Sequence, residues 1–106
     1  MTSNPVRMLC IYRVHEGKEK EFQSLLEKHW PTLRDVGLVS EKPARWFRGN
    51  AGDGKRRFVE LFEWKDGEAS GVAHQSPQVM SIWEPMGALA EGMEFIELER
   101  PIEPIE

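Results

Sequence analysis

Between Val6 and Val14 the chain reads VRMLCIYRV, a nearly unbroken apolar run bounded by Pro5 and by the turn His15-Glu16-Gly17, and it predicts a first β-strand. From Lys18 the period changes. Phe22, Leu25, Leu26, Trp30 and Leu33 recur at helical spacing, with Lys18, Glu19, Lys20, Glu21, Glu27 and Lys28 on the polar side. Pro31 disfavours helical geometry at Trp30, so the helix is expected to kink or break there and to stop at Gly37. Leu38 to Arg48 reads as a second strand interrupted by Pro43, which implies an edge position or a bulge. The turn-rich stretch from Gly49 to Lys55 then leads into a third strand, Arg57 to Lys65, as a long hairpin. Beyond Asp66-Gly67 a helical turn is expected over Glu68 to Ala73. Ser76-Pro77 supplies an N-cap with proline at the first helical position, followed by Val79, Met80, Trp83 and Met86 on one stripe that Pro85 interrupts. Met93 to Glu99 is the last strand. The order β-α-β-β-α-β predicts an α+β, ferredoxin-like fold, a four-stranded antiparallel sheet with two helices on one face.

A sheet covered on one side should read polar on the other if that face met water. These strands read differently. Met8, Cys10, Tyr12 and Val14 oppose Leu9 and Ile11; Phe58, Phe62 and Trp64 oppose Val59 and Leu61; Met93 and Phe95 oppose Ile96 and Leu98. Two helices cover only one face, and a second copy of the sheet is the simplest cover for the other, so a homodimer is expected. One domain over residues 1–100 accounts for every element. The repeated triplet in residues 101–106, PIEPIE, favours an extended tail.

Composition narrows the function classes. A formal net charge of −4 argues against general binding to nucleic acid or an acidic membrane. No apolar run is long enough to span a bilayer. Four Trp and five Phe in 106 residues are more than a small core demands, which points to aromatic walls in a pocket or an interface. The single Cys10, inside an apolar run, reads as a small buried hydrophobe, and the default setting is reducing and cytoplasmic. Three scattered histidines without ligand spacing or a cysteine partner do not make a metal site. Gly49, Gly52 and Gly54 precede a strand and not a helix, so they form a hairpin turn and no phosphate loop.

The stretch FVELFEWKDGEA at residues 58–69, followed by Ala73-His74-Gln75-Ser76-Pro77, resembles the third strand and second helix of the antibiotic biosynthesis monooxygenase family, within the dimeric α+β barrel group. The first strand with its His15-Glu16-Gly17-Lys18 turn also fits. The likeness covers nearly the whole chain in element order, but only about thirty residues in wording. It implies a pocket between helices and sheet in which some members oxidise phenolic or quinol-like substrates with oxygen and no bound metal or flavin. Protein groups would need to supply only a base, hydrogen-bond donors and a dry cavity. On that reading His74 is the base, Tyr12 a polar contact to substrate, and Trp64, Trp83, Glu60 and Met80 belong to the substrate site, with no cofactor. Two departures stand against it. Gln78 and Val79 follow Pro77 where many members carry a second histidine, and Trp83 falls at the iron-ligand position of haem-degrading relatives, which argues against haem degradation.

Each candidate also has a structural reading. His74 caps or packs at a helix end; Trp64 and Trp83 are core; Tyr12 finds a backbone acceptor. His29 and His15 read as structural. Glu60 falls between Phe58 and Phe62 on an apolar face, where it needs a partner such as Arg13, Arg45 or Arg48, or else serves as a pocket acid. The expected function is therefore a cofactor-independent, monooxygenase-like enzyme acting on a small aromatic molecule. The alternative is a non-catalytic binding or interaction protein on the same dimeric scaffold.

Overall fold

Strand β1 (Val6–Val14) lies at the centre of an antiparallel sheet ordered β2-β3-β1-β4, in a computed structural model that describes residues 4–102. Its neighbours are β3 (Arg56–Trp64), with Met8 opposite Phe62 and Cys10 opposite Glu60, and β4 (Ala90–Leu98), with Cys10 opposite Phe95. The other edge is β2 (Arg45–Asn50), paired to β3 with Trp46 opposite Glu60. Helices α1 (Glu19–Asp35) and α3 (Pro77–Leu89) pack together on one face, and the short α2 (Ala69–Ala73) precedes α3. This is the expected ferredoxin-like α+β fold. From residue 103 onward the tail expected to be extended lies outside the described residues.

Both internal prolines lie inside continuous helices, so of the expected kink or break at Pro31 the break does not occur, and Pro85 does not interrupt α3. Pro31 cannot donate to the turn below it. Its neighbours Trp30 and Leu33 are nevertheless buried in the core, and the hydroxyl of Thr32 donates to the Lys28 carbonyl at 2.7 Å. Packing on both sides outweighs the missing bond. The helix does end where glycine predicts: Gly37 adopts φ 73°, and Leu38 donates back to the Leu33 carbonyl at 3.0 Å. For α3, Ser76 caps as expected, accepting from the Val79 amide at 3.3 Å.

The second strand is shorter than the expected Leu38–Arg48. Val39 makes only an isolated bridge to Trp64, and regular pairing begins at Arg45, after Pro43. The last strand starts three residues earlier than expected. A bulge lets it do so, because Arg13 pairs with Gly92 but Val14 with Ala90, leaving Glu91 unmatched. Gly92 leaves room for the Arg13 guanidinium, which lies where a side chain would begin.

Alternation sorts the sheet into two faces. Toward the helices point Met8, Cys10, Tyr12, Phe58, Glu60, Phe62 and Trp64, most of them buried together with Phe22, Leu26, Leu33, Val79 and Met86. Away from them point Leu9, Ile11, Val59, Leu61, Ile96 and Leu98, which are only half-buried in the single chain. No helix among the described residues is long and apolar enough to cross a membrane.

Candidate functional site

Glu60 is fully buried, yet it sits at the junction of five secondary-structure elements. The Tyr12 hydroxyl from β1 donates to its Oε1 at 2.8 Å, and the Trp46 indole from β2 donates to its Oε2 at 2.9 Å. From α1, His29 Nδ1 stands 2.9 and 3.0 Å from the two carboxyl oxygens. Trp83 on α3 completes the chain, its indole N–H meeting His29 Nε2 at 2.8 Å.

Donor bookkeeping fixes the protons. An indole nitrogen only donates, so His29 Nε2 is the acceptor and carries no hydrogen. A neutral imidazole then bears its proton on Nδ1, which donates to Glu60. If the carboxyl group were protonated and donated to His29 instead, His29 would have to be an imidazolate, and the Tyr12 hydroxyl and Trp46 indole are themselves donors to its two oxygens. Glu60 is therefore a carboxylate accepting three neutral donors, and the cluster holds one net negative charge. The arginine partners expected for Glu60 are replaced by these donors. Arg13 and Arg45 point to the opposite side of the sheet, while Arg48, on Glu60's side beside Phe58, is exposed on the edge strand.

In front of this cluster lies a cavity of about 340 Å³. Met8, Cys10, Tyr12, Phe62 and Trp64 form its floor from the sheet, Met93 and Phe95 its side from β4, and His29, Trp83 and Met86 its wall from the helices. Ser70 and His74 close the rim. His74 and the 57%-exposed Phe95 bring the cavity to the surface. The aromatic rings are mutually braced: Phe62 meets Trp64 edge-on at 4.9 Å, Trp64 meets Trp83 at 6.5 Å, and Trp83 meets His74 at 4.8 Å.

His74 Nδ1 lies 2.8 Å from the Ser70 carbonyl, which can only accept, so Nδ1 carries the proton. In the neutral ring Nε2 then holds a lone pair that no donor among the described residues engages. His29, by contrast, has both nitrogens engaged. Burial first, and then the Glu60 charge, push the Cys10 thiol up to about 12 and the Tyr12 phenol well above its ordinary value, so both remain protonated.

Of the residues singled out from sequence, Tyr12, Trp64, Trp83 and His74 line the cavity. Glu60 stands behind its floor, and Met80 is half-buried elsewhere on α3. His74 meets neither Tyr12 nor Glu60; those two meet each other. His29, read as structural, proves to be the link between Glu60 and Trp83. Its signal was present in the sequence: Phe22, Leu26, His29 and Leu33 follow one helical stripe at intervals of four, three and four, and all four are buried. Among the described residues no cluster of histidine, cysteine or carboxylate is arranged to hold a metal ion.

No family model matches the sequence, and no curated protein is similar enough in sequence to count as a relative. Solved structures do match the fold. A variant of SnoaB, a cofactor-independent oxygenase from Streptomyces nogalater, superposes with a TM-score of 0.74 at 18% identity, over 98% of this chain and 100% of that one. A candidate antibiotic biosynthesis monooxygenase from Nitrosomonas europaea gives 0.69 at 10% identity, over 92% and 91% of the two chains. A NIPSNAP family protein from Agrobacterium tumefaciens gives 0.67 at 17% identity, over 92% and 94%. This chain thus shares the α+β fold of these solved structures, which is the fold that the resemblance of residues 58–77 implied.

Proposed function

We propose that this chain binds a small, flat aromatic molecule between sheet and helices and oxidises it with molecular oxygen, without a cofactor. The observation that carries the reading is His74, which lines an aromatic-walled cavity and whose tautomer is held by Ser70 so that the imidazole lone pair lies on Nε2. The volume, about 340 Å³, lies at the small end of ligand sites and suits two or three fused rings. The fold shared with a cofactor-independent oxygenase supports the same class of chemistry without fixing a substrate.

In this mechanism His74 Nε2 accepts a proton from a phenolic hydroxyl or an activated methylene of the substrate. The resulting anion passes one electron to oxygen, and the radical pair, held against the aromatic walls, closes a carbon–oxygen bond. Return of the proton gives a hydroperoxide. For a methylene substrate of the anthrone type, loss of water then leaves a carbonyl: the carbon gains one oxygen atom and gives up both hydrogens, and the second oxygen leaves as water. The substrate is the reductant, so electrons balance without a further partner. Trp64, Trp83 and the methionines exclude water and orient the ring, while Tyr12 positions Glu60 and contacts the ligand face.

The assembly proposed for this site is a homodimer in a reducing, cytoplasmic setting, with a second copy covering the face that carries Leu9 and Leu61. Oxygen uptake on a panel of quinols and anthrone-like phenols tests the reaction. His74→Ala should lower the rate by about two orders of magnitude, the usual contribution of a general base. Equal rates in wild type and variant would eliminate the assigned base.

One observation favours a second reading, in which the same cavity binds without catalysis. Tyr12, Glu60, His29, Trp46 and Trp83 satisfy one another, and so offer few open hydrogen-bonding positions to a reacting ligand. Tight binding of an aromatic ligand with no oxygen consumption would select this alternative.

A further inference from the structure

We propose that Glu60 determines the ligand's charge: its buried carboxylate sets the cavity floor against anions, so the site takes a neutral aromatic whose acidic hydrogen faces His74 at the rim. The inference rests on the cavity being an aromatic-ligand site.

Among the described residues the carboxylate has no cationic partner. Its donors are a phenol, an indole and a neutral imidazole, which spread the charge without cancelling it. A histidinium would cancel it, but His29 Nε2 is occupied by the Trp83 N–H, and a proton there would set two donors against each other. No lysine or arginine is among the described residues that line the cavity. Only one phenol or imidazole ring separates the charge from the cavity, in surroundings of low polarity where a charge is poorly screened. Cys10 and Tyr12 report that field from the wall itself. Both line the cavity, and the carboxylate adds to burial in keeping each protonated.

A ligand hydroxyl on the floor would be subject to the same effect and keep its proton. At the rim, His74 Nε2 offers a lone pair, and exposure to water lets developing charge be screened. An acidic ligand group therefore belongs at the rim and the apolar rings at the floor. A ligand with a permanent carboxylate loses its hydration and gains no counter-charge.

The test uses three ligands of one shape, 2-naphthol, 2-naphthoate and 2-naphthylmethylammonium, titrated against the intact protein by tryptophan fluorescence at about pH 8, where free imidazole is uncharged. Desolvation penalises both ions, so the gap between cation and anion isolates the sign of the field. Naphthol should bind best, and the ammonium should bind at least about tenfold more tightly than the carboxylate. In Glu60→Gln that gap should shrink toward unity. A wild-type anion affinity equal to that of the cation, or a gap that survives in folded Glu60→Gln, would overturn the assignment while leaving the aromatic site intact. If none of the three binds, the aromatic-ligand reading fails and this inference fails with it. Should Glu60→Gln not fold, the wild-type gap decides alone.

Discussion

The indole N–H of Trp83 points at Nε2 of His29 from 2.8 Å, and this single bond between two helices dictates the protonation of a carboxylate on the sheet below. His29 must hold its proton on Nδ1, and Glu60 must be ionised. Long-range nitrogen–proton NMR of the imidazole should therefore show His29 in the Nδ1–H tautomer. Trp83→Phe removes the donor that keeps Nε2 unprotonated, so the preference for the Nδ1–H tautomer should weaken. The variant should also lose about 1 kcal/mol of stability with the hydrogen bond. An Nε2–H tautomer in wild type would contradict the bookkeeping.

Removing the carboxylate should be far more damaging than removing the indole. Glu60→Ala leaves the donors of Tyr12, His29 and Trp46 facing a gap, two of them on fully or almost fully buried side chains. A loss of about 3 kcal/mol or more is expected, out of a total of roughly 5–15 for a domain of this kind. Urea denaturation measures it. A loss below about 1 kcal/mol would mean that the three donors find other partners.

Much of this architecture was legible in the residues. Apolar runs and turn glycines placed all four strands and both long helices, because period and backbone conformation are local properties. Local rules allowed a break at Pro31 and an interruption at Pro85, and the helices run on through both, since tertiary packing carries a helix across a missing bond. The site was half legible. Strand alternation put Tyr12, Glu60 and Trp64 on one face, yet the pairing of Trp46 with Glu60 depends on a cross-strand register that no short pattern reveals. Glu60 was seen to need a partner, and arginine was the natural expectation. The partner turned out to be neutral because the facing helix presents His29, whose place on the core stripe was visible but whose neighbour across the fold was not.

Alkaline pH should weaken the fold through Cys10. Its thiol titrates ordinarily at 9.0 and is pushed up to about 12 by burial and then by the Glu60 charge. Between those values the unfolded chain loses a proton that the folded chain keeps. The contribution of Cys10 is thus complete below pH 9.0 and declines as pH rises toward 12, by about 1.4 kcal/mol per pH unit. Tyr12, also raised, adds to the decline above its ordinary value of 10.0. Urea midpoints measured from pH 7 to pH 10.5 should fall less steeply in Cys10→Ala than in wild type once the thiol's ordinary value is passed. Parallel curves would show that the thiol ionises equally well in both states. Native protein should likewise resist iodoacetamide at pH 8, since the thiolate is the reactive form.

The face of the sheet opposite the helices supplies the last test. Register places Leu9 between Leu61 and Ile96 in one row and Ile11 beside Val59 in the next, so the apolar residues are contiguous across the three strands β3, β1 and β4. Charge flanks them: Arg7 lies opposite Glu63, and Ile11 opposite Glu94. A closed, two-fold pairing covers such a face with the same residues from another copy and returns roughly 25 cal/mol for each Å² of apolar surface it removes from water. Light scattering at micromolar concentration should return the mass of two chains, and the melting temperature should rise with protein concentration. Leu9→Glu puts a carboxylate at the centre of that face. In a lone sheet open to water it would cost little, because the new charge stays hydrated; between two sheets it meets its own copy in a desolvated contact. The variant should therefore scatter as a single chain and melt at a lower temperature independent of concentration. If wild type already scatters as one chain, the pairing is wrong, and Leu9→Glu should then leave stability almost unchanged.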